Sequence, residues 1–120
     1  MRKLLVIDDD SFVLESIKKQ LKEEDMSIIF VNNPLEGLSI IEEQHFDLVL
    51  CDIKMEPING IEVLKNIKEK HPEVAVIILT GYVDDTLLEK ARYYGSSDFL
   101  VKPVRKRELI DSICRATVQF

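Results

Sequence analysis

Five residues of this chain carry side chains that can do chemistry together, and each stands where an apolar run stops. Asp8 and Asp9 close Leu4-Leu5-Val6-Ile7, and Asp52 closes Leu48-Val49-Leu50-Cys51. Thr80 closes Val76-Ile77-Ile78-Leu79, and Lys102 follows Phe99-Leu100-Val101. Three carboxylates brought together repel one another and hold their protons more tightly unless positive charge is added. A hard divalent cation with oxygen ligands adds it, and Mg²⁺ suits one or two carboxylates with phosphate and water. Lys102 supplies a second positive charge. The Thr80 hydroxyl, helped by the backbone N–H groups of the Thr80-Gly81 turn, can hydrogen-bond an incoming oxyanion. Cation, ammonium and hydroxyl around a carboxylate nucleophile are what phosphoryl transfer needs, since that chemistry rests on positioning and charge neutralisation. Asp52 is the candidate nucleophile.

The elements that must position these groups alternate regularly. Lys3 to Ile7 reads as a strand. Asp10 or Ser11 caps a helix in which Leu14, Ile17 and Leu21 recur at helical spacing through about Glu24. Met26 to Val31 is a second strand, and Asn32-Asn33-Pro34 turns into a helix that starts at Pro34 and runs to about Gln44. Asp47 to Cys51 is a third strand; after the loop from Asp52 to Gly60, a helix runs to about Lys70, before Pro72. Val74 to Leu79 is a fourth strand. A fourth helix, capped by Asp84 or Asp85, ends at Gly95, a left-handed position. Asp98 to Val101 is a fifth strand, and the fifth helix runs nearly to Gln119-Phe120. Five such βα units predict an α/β, doubly wound parallel sheet with helices on both faces, in one domain over residues 1–120. Such a sheet binds ligands at the carboxyl ends of its strands, at the topological switch point. That edge collects Asp8, Asp9, Asp52, Thr80 and Lys102.

Composition excludes several classes of function. The chain has 46% hydrophobic and 32% charged residues, as a folded globular domain does. Its net charge of −6 argues against nucleic-acid contact through a broad basic surface. The one basic cluster, Arg105-Lys106-Arg107, reads as a solvated first helical turn. No apolar run approaches the ~20 residues that cross a bilayer, and the apolar stretch at the N-terminus is too short for a signal peptide. The expected location is cytoplasmic. Cys51 and Cys114 show no metal-ligating spacing and read as small buried hydrophobes in a reducing compartment.

Taken singly, each candidate has a structural reading: Asp8, Asp9 and Asp10 as helix-start acids, Asp52 and Thr80-Gly81 as turn residues, Lys102 as an exposed lysine. The set carries the inference. Over essentially its whole length the chain resembles the receiver domains of two-component response regulators. The matching pieces are Val6 to Asp10, Asp47 to Met55, Asn59 to Leu64, Ile77 to Gly81 and Asp98 to Pro103, in order and at family-like spacing.

The resemblance implies a flavodoxin-like (βα)5 fold with strand order 2-1-3-4-5. It implies that Asp52 takes a phosphoryl group from a phosphohistidine on a sensor histidine kinase or phosphotransfer protein, forming 4-aspartylphosphate. It makes Asp9 a direct Mg²⁺ ligand and Asp8 one acting mainly through water; Asp52 and the Lys54 backbone carbonyl complete the set. It makes Thr80 the switch hydroxyl, Phe99 the switch aromatic between that loop and the fifth helix, Lys102 the phosphate-pairing lysine and Pro103 a cis-proline. The implied protein is a signalling switch rather than an enzyme, catalysing only its own phosphorylation and slow autodephosphorylation. Its readout surface is the fourth helix, fifth strand and fifth helix, which serves an output domain or effector protein. A homodimer through that surface on activation is one outcome the resemblance allows. This domain itself is expected to touch neither nucleic acid nor membrane.

The chain departs from the family pattern in its loops. Pro57 sits one place later than in the usual Met-Pro pair, which predicts a slightly altered loop. Gly81 follows Thr80 where alanine is also common. Lys54 and Tyr82, each two residues after a key side chain, are expected to tune phosphoryl lifetime. Three other readings compete. A phosphatase resembling the haloacid dehalogenases would use Asp8-Asp9-Asp10, but Phe12 stands where that family prefers Thr or Val, and no acidic pair follows Lys102. A non-phosphorylated interaction domain is opposed by the complete acidic set with Thr80 and Lys102. An FMN binder lacks a phosphate loop after the first strand.

Overall fold

The apolar runs become strands and the 3.6-residue patterns become helices in strict alternation. A computed structural model describes residues 1–118. The elements are β1 (Arg2–Ile7), α1 (Ser11–Gln20), β2 (Met26–Val31), α2 (Pro34–Glu43), β3 (Leu48–Asp52), α3 (Gly60–Lys70), β4 (Ala75–Thr80), α4 (Asp85–Tyr93), β5 (Asp98–Val101) and α5 (Lys106–Ala116). All strand pairs are parallel and the order is β2-β1-β3-β4-β5. The doubly wound sheet of order 2-1-3-4-5 is therefore the observed fold.

Alternation within each strand splits the core into two layers. Leu5, Ile7, Val49, Cys51, Val76 and Ile78 point into the layer beneath α2, α3 and α4. Leu4, Val6, Leu48, Leu50, Ile77 and Leu79 point to the opposite layer, closed by Ile17 of α1 and by Leu109 and Ile113 of α5. The central strands β3 and β4 are buried along their whole length, as apolar strands covered on both faces must be.

Local chemistry sets the helix starts. Asp10, Asn33, Asn59 and Asp84 each accept backbone N–H bonds from the first turn of the helix that follows, and Pro34 opens α2. Gly95, at φ 93°, ends α4 in the left-handed region. The exposed Arg105, Lys106 and Arg107 begin α5 as a solvated turn.

Several boundaries differ from expectation. α1 stops at Gln20 rather than near Glu24. Its last bonds tighten, with Lys22 N–H donating to the Lys19 carbonyl, and the acids Glu23, Glu24 and Asp25 oppose the negative end of the helix dipole. β3 and β4 both run one residue further, because Asp52 pairs with Leu79 and Thr80 with Val101 in the ladders. The expected end of the fifth helix at Gln119-Phe120 lies outside the described residues. Cys51 is fully buried, but Cys114 is only half-buried, against the expectation for both.

Candidate functional site

The strand order places β1 beside β3 at the point where the chain reverses direction across the sheet, so Asp8, Asp9 and Asp52 meet there. One ligand oxygen from each lies within 4.8 Å of the other two. Asp8 is 1% exposed and Asp52 is 7% exposed, whereas Asp9 is open to solvent. A cluster closed below and open at one carboxylate suits an ion that keeps some of its water.

Lys102 arrives from the end of β5. Its Nζ donates to Asp8 Oδ2 at 2.7 Å and lies 3.3 Å from Asp52 Oδ1. The lysine thus bridges the two buried carboxylates instead of standing apart as a separate charge. The remaining bonds are local. The Ile53 N–H donates to Asp52 Oδ1 at 2.8 Å, and the Asp10 N–H donates to Asp8 Oδ1 at 2.9 Å.

One ammonium does not balance three carboxylates. Burial, and then the charge of Asp8, push the Asp52 pKa up to about 6, against the opposing pull of Lys102. Burial alone would disfavour the Lys102 ammonium, but the bond to Asp8 and the charges of Asp8 and Asp52 raise its pKa. Surplus negative charge on hard oxygen donors is the condition that a divalent cation relieves, so these residues fit the group that the sequence implies. Burial, reinforced by Asp52 and Asp8, pushes the Cys51 thiol strongly up, which makes it packing rather than a nucleophile.

Thr80 is 1% exposed and ends β4 next to this cluster. Its hydroxyl is engaged by the backbone of Tyr82, donating to the carbonyl at 3.3 Å and accepting from the N–H at 3.2 Å. Lys54 lines a surface cavity with Asp9, Met55, Glu56 and Asn59, beside the open carboxylate. Lys102-Pro103 is a cis peptide, as the resemblance implies. Phe99 is half-buried against the layer that holds Leu87 and Ala91 of α4. It faces α4, whereas the sequence reading set it between the loop and the fifth helix; the pleat gives the α1/α5 face to Leu100 instead.

Three features escaped sequence reasoning. Glu56-Pro57 is a second cis peptide, in the loop where the displaced proline marks a departure. Gly60 sits so close to the end of β3 that a Cβ there would lie 2.0 Å from the Asp52 carbonyl oxygen. Asp98 accepts from the Ser112 hydroxyl at 2.5 Å and from Arg115 at 3.3 Å, tying β5 to α5.

Comparison with known proteins agrees with this geometry. The family model described as "Response regulator receiver domain" matches residues 4–114. The chain belongs to the response regulator receiver family. The transcriptional regulatory protein ZraR of Klebsiella oxytoca is 38% identical over 101 residues, covering 84% of this chain and 23% of that protein. The chain thus spans about a quarter of the length of such curated relatives. The chemotaxis protein CheY of Listeria monocytogenes is 31% identical over 117 residues, 97% of this chain and 98% of that one. Among solved structures, a receiver domain from Clostridium thermocellum superposes with a TM-score of 0.91 at 36% identity, covering 98% of this chain and 94% of that one. The CheY-like receiver domain of Methanospirillum hungatei gives 0.92 at 30% identity, covering 96% and 92%.

Proposed function

We propose that this receiver domain takes a phosphoryl group onto Asp52 from a phosphohistidine of a sensor histidine kinase or phosphotransfer protein. Mg²⁺ would be held by Asp8, Asp9, Asp52 and the Lys54 carbonyl. The observation that carries the reading is the buried Asp8–Lys102–Asp52 bridge beside the open Asp9 carboxylate. When bound, the cation neutralises charge on the carboxylates and the phosphoryl oxygens.

The chain's own residues do the rest. Ile53 N–H and Lys102 both engage Asp52 Oδ1 and fix the carboxylate's orientation, so attack on phosphorus falls to Oδ2. The new O–P bond replaces the P–N bond to the donor histidine, whose nitrogen keeps the electron pair. Lys102, already within reach of Asp52, pairs with the added phosphoryl oxygens. A phosphoryl group brings about −1.5 to −2 charges and acceptor oxygens. Those oxygens give the Thr80 hydroxyl a contact that it lacks beforehand, which biases the β4–α4 loop. Phe99, packed toward α4, follows, and the surface of α4, β5 and α5 carries the change to an output domain or effector.

Intact-mass spectrometry after incubation with Mg²⁺ and acetyl phosphate tests this. The parent chain gains one phosphoryl group; Asp52→Asn gains none, and chelating the Mg²⁺ abolishes the gain. No adduct on the parent chain, together with no binding of beryllofluoride, contradicts the proposal and leaves an interaction domain on the same fold.

A further inference from the structure

Lys54 lies two residues beyond Asp52 and Tyr82 two beyond Thr80, on loops that leave the adjacent strands β3 and β4. Lys54 Nζ sits 4.0 Å from the centroid of the Tyr82 ring. That is well inside the roughly 6 Å range over which an ammonium is attracted to an aromatic face. The contact joins the two loops across the carboxyl edge of the sheet.

Tyr82 has a second attachment. Its backbone carbonyl and N–H are the groups that engage the Thr80 hydroxyl. The hydroxyl that must turn toward a phosphoryl group is therefore bonded to the residue whose ring Lys54 holds.

We infer that the Lys54–Tyr82 contact is a latch that holds the β4–α4 loop in the state where Thr80 is engaged by backbone. It thereby sets the fraction of molecules in which Thr80 is released toward Asp52. The inference rests on the phosphoacceptor reading above. It differs from an effect on phosphoryl lifetime, because it assigns a bias in the switch equilibrium that exists before any phosphoryl group arrives. Tyr82 is 49% exposed, so the contact is a solvated one of modest strength. A contact of that class shifts a two-state loop by about two- to five-fold.

The test is calorimetric titration of beryllofluoride, as the phosphoryl mimic, into the full chain with saturating Mg²⁺. Tyr82→Leu binds about two- to five-fold more tightly than the parent chain, since the ring contact no longer opposes release of Thr80. Tyr82→Phe keeps the aromatic face and binds as the parent does. In a Lys54→Met background, Tyr82→Leu produces no further gain, because the latch is already absent. In the ligand-free state, the Thr80 amide resonance of Tyr82→Leu shifts toward its beryllofluoride-bound position. A Tyr82→Leu affinity equal to the parent's, or the same gain in both backgrounds, overturns the latch. If the parent chain binds no beryllofluoride, the phosphoacceptor reading falls, and the latch with it.

Discussion

Asp52 is held in a state that its surroundings resist. Burial and the neighbouring Asp8 push its pKa up to about 6, and Lys102 only partly compensates. The folded chain therefore binds the Asp52 proton more tightly than the unfolded chain, where the ordinary value is about 3.9. Stability from this group is undiminished below the unfolded value, falls as pH rises, and the loss is complete above about 6. With about 1.4 kcal/mol for each tenfold change in proton affinity, the ionised carboxylate costs the metal-free fold on the order of 3 kcal/mol at neutral pH. Asp52→Asn should accordingly stabilise the chain by about that amount in urea unfolding with a chelator present. Mg²⁺ should stabilise the parent chain and do much less for the variant. An Asp52→Asn chain less stable than the parent without metal would show that Lys102 already balances the site. The reactive residues were legible in the sequence because each interrupts an apolar run. The Lys102 bridge to Asp8 was not, since residues so far apart in sequence meet only through the sheet order.

At the scale of elements, one contact holds the working edge in place and another fixes β5 from its amino end. α3 begins at Gly60, where a Cβ would lie 2.0 Å from the Asp52 carbonyl oxygen and 2.8 Å from its carbonyl carbon. The obstacle is backbone, which cannot swing aside as a side chain can. Gly60→Ala should cost about 1–3 kcal/mol in denaturant unfolding, as forced strain at a packed position does. A loss under about 0.5 kcal/mol, the ordinary range of surface substitutions, would mean that the loop yields freely. On the far side, Asp98 ties β5 to α5. Burial raises its pKa, but the Ser112 hydroxyl, the Phe99 N–H and Arg115 outweigh burial and leave the pKa lowered. The stability it contributes is present above the unfolded carboxylate value and lost as pH falls through the folded one. Asp98→Asn should flatten the acid limb of the stability–pH curve while leaving the slope near neutrality unchanged; an unaltered acid limb would remove this tie from the account. Strands β2 and β5 could be read from sequence to the residue, since turn residues bound them. The end of α1 could not, because apolar Leu21 prolongs the periodic pattern past the point where the acids of 23–25 terminate the helix.

At the scale of the whole molecule, alternation alone predicted a doubly wound sheet with ligand chemistry at its carboxyl edge. Family resemblance supplied the strand order that the structure shows. The side of the sheet that Phe99 faces escaped both, since it follows from the register of β5 with β4, where Phe99 pairs with Ile78. Both core layers run across all three central strands, so the described domain should unfold as one cooperative unit. Coincident transitions by circular dichroism and by tyrosine fluorescence are expected; separated ones would mean that the α1/α5 layer opens independently. Among the described residues no helix is long and apolar enough to cross a membrane. The match to nearly all of a CheY and to about a quarter of ZraR shows one domain type in proteins of different length.

The most direct test of the central claim is peptide mapping of the chain after Mg²⁺-dependent phosphorylation by a phosphohistidine donor. The account predicts a single phosphoryl group on the peptide that contains Asp52, and none on the peptide that contains Asp8, Asp9 and Asp10. A phosphoryl group on the Asp8–Asp10 peptide would contradict it and place the nucleophile at the end of β1, as in a phosphatase.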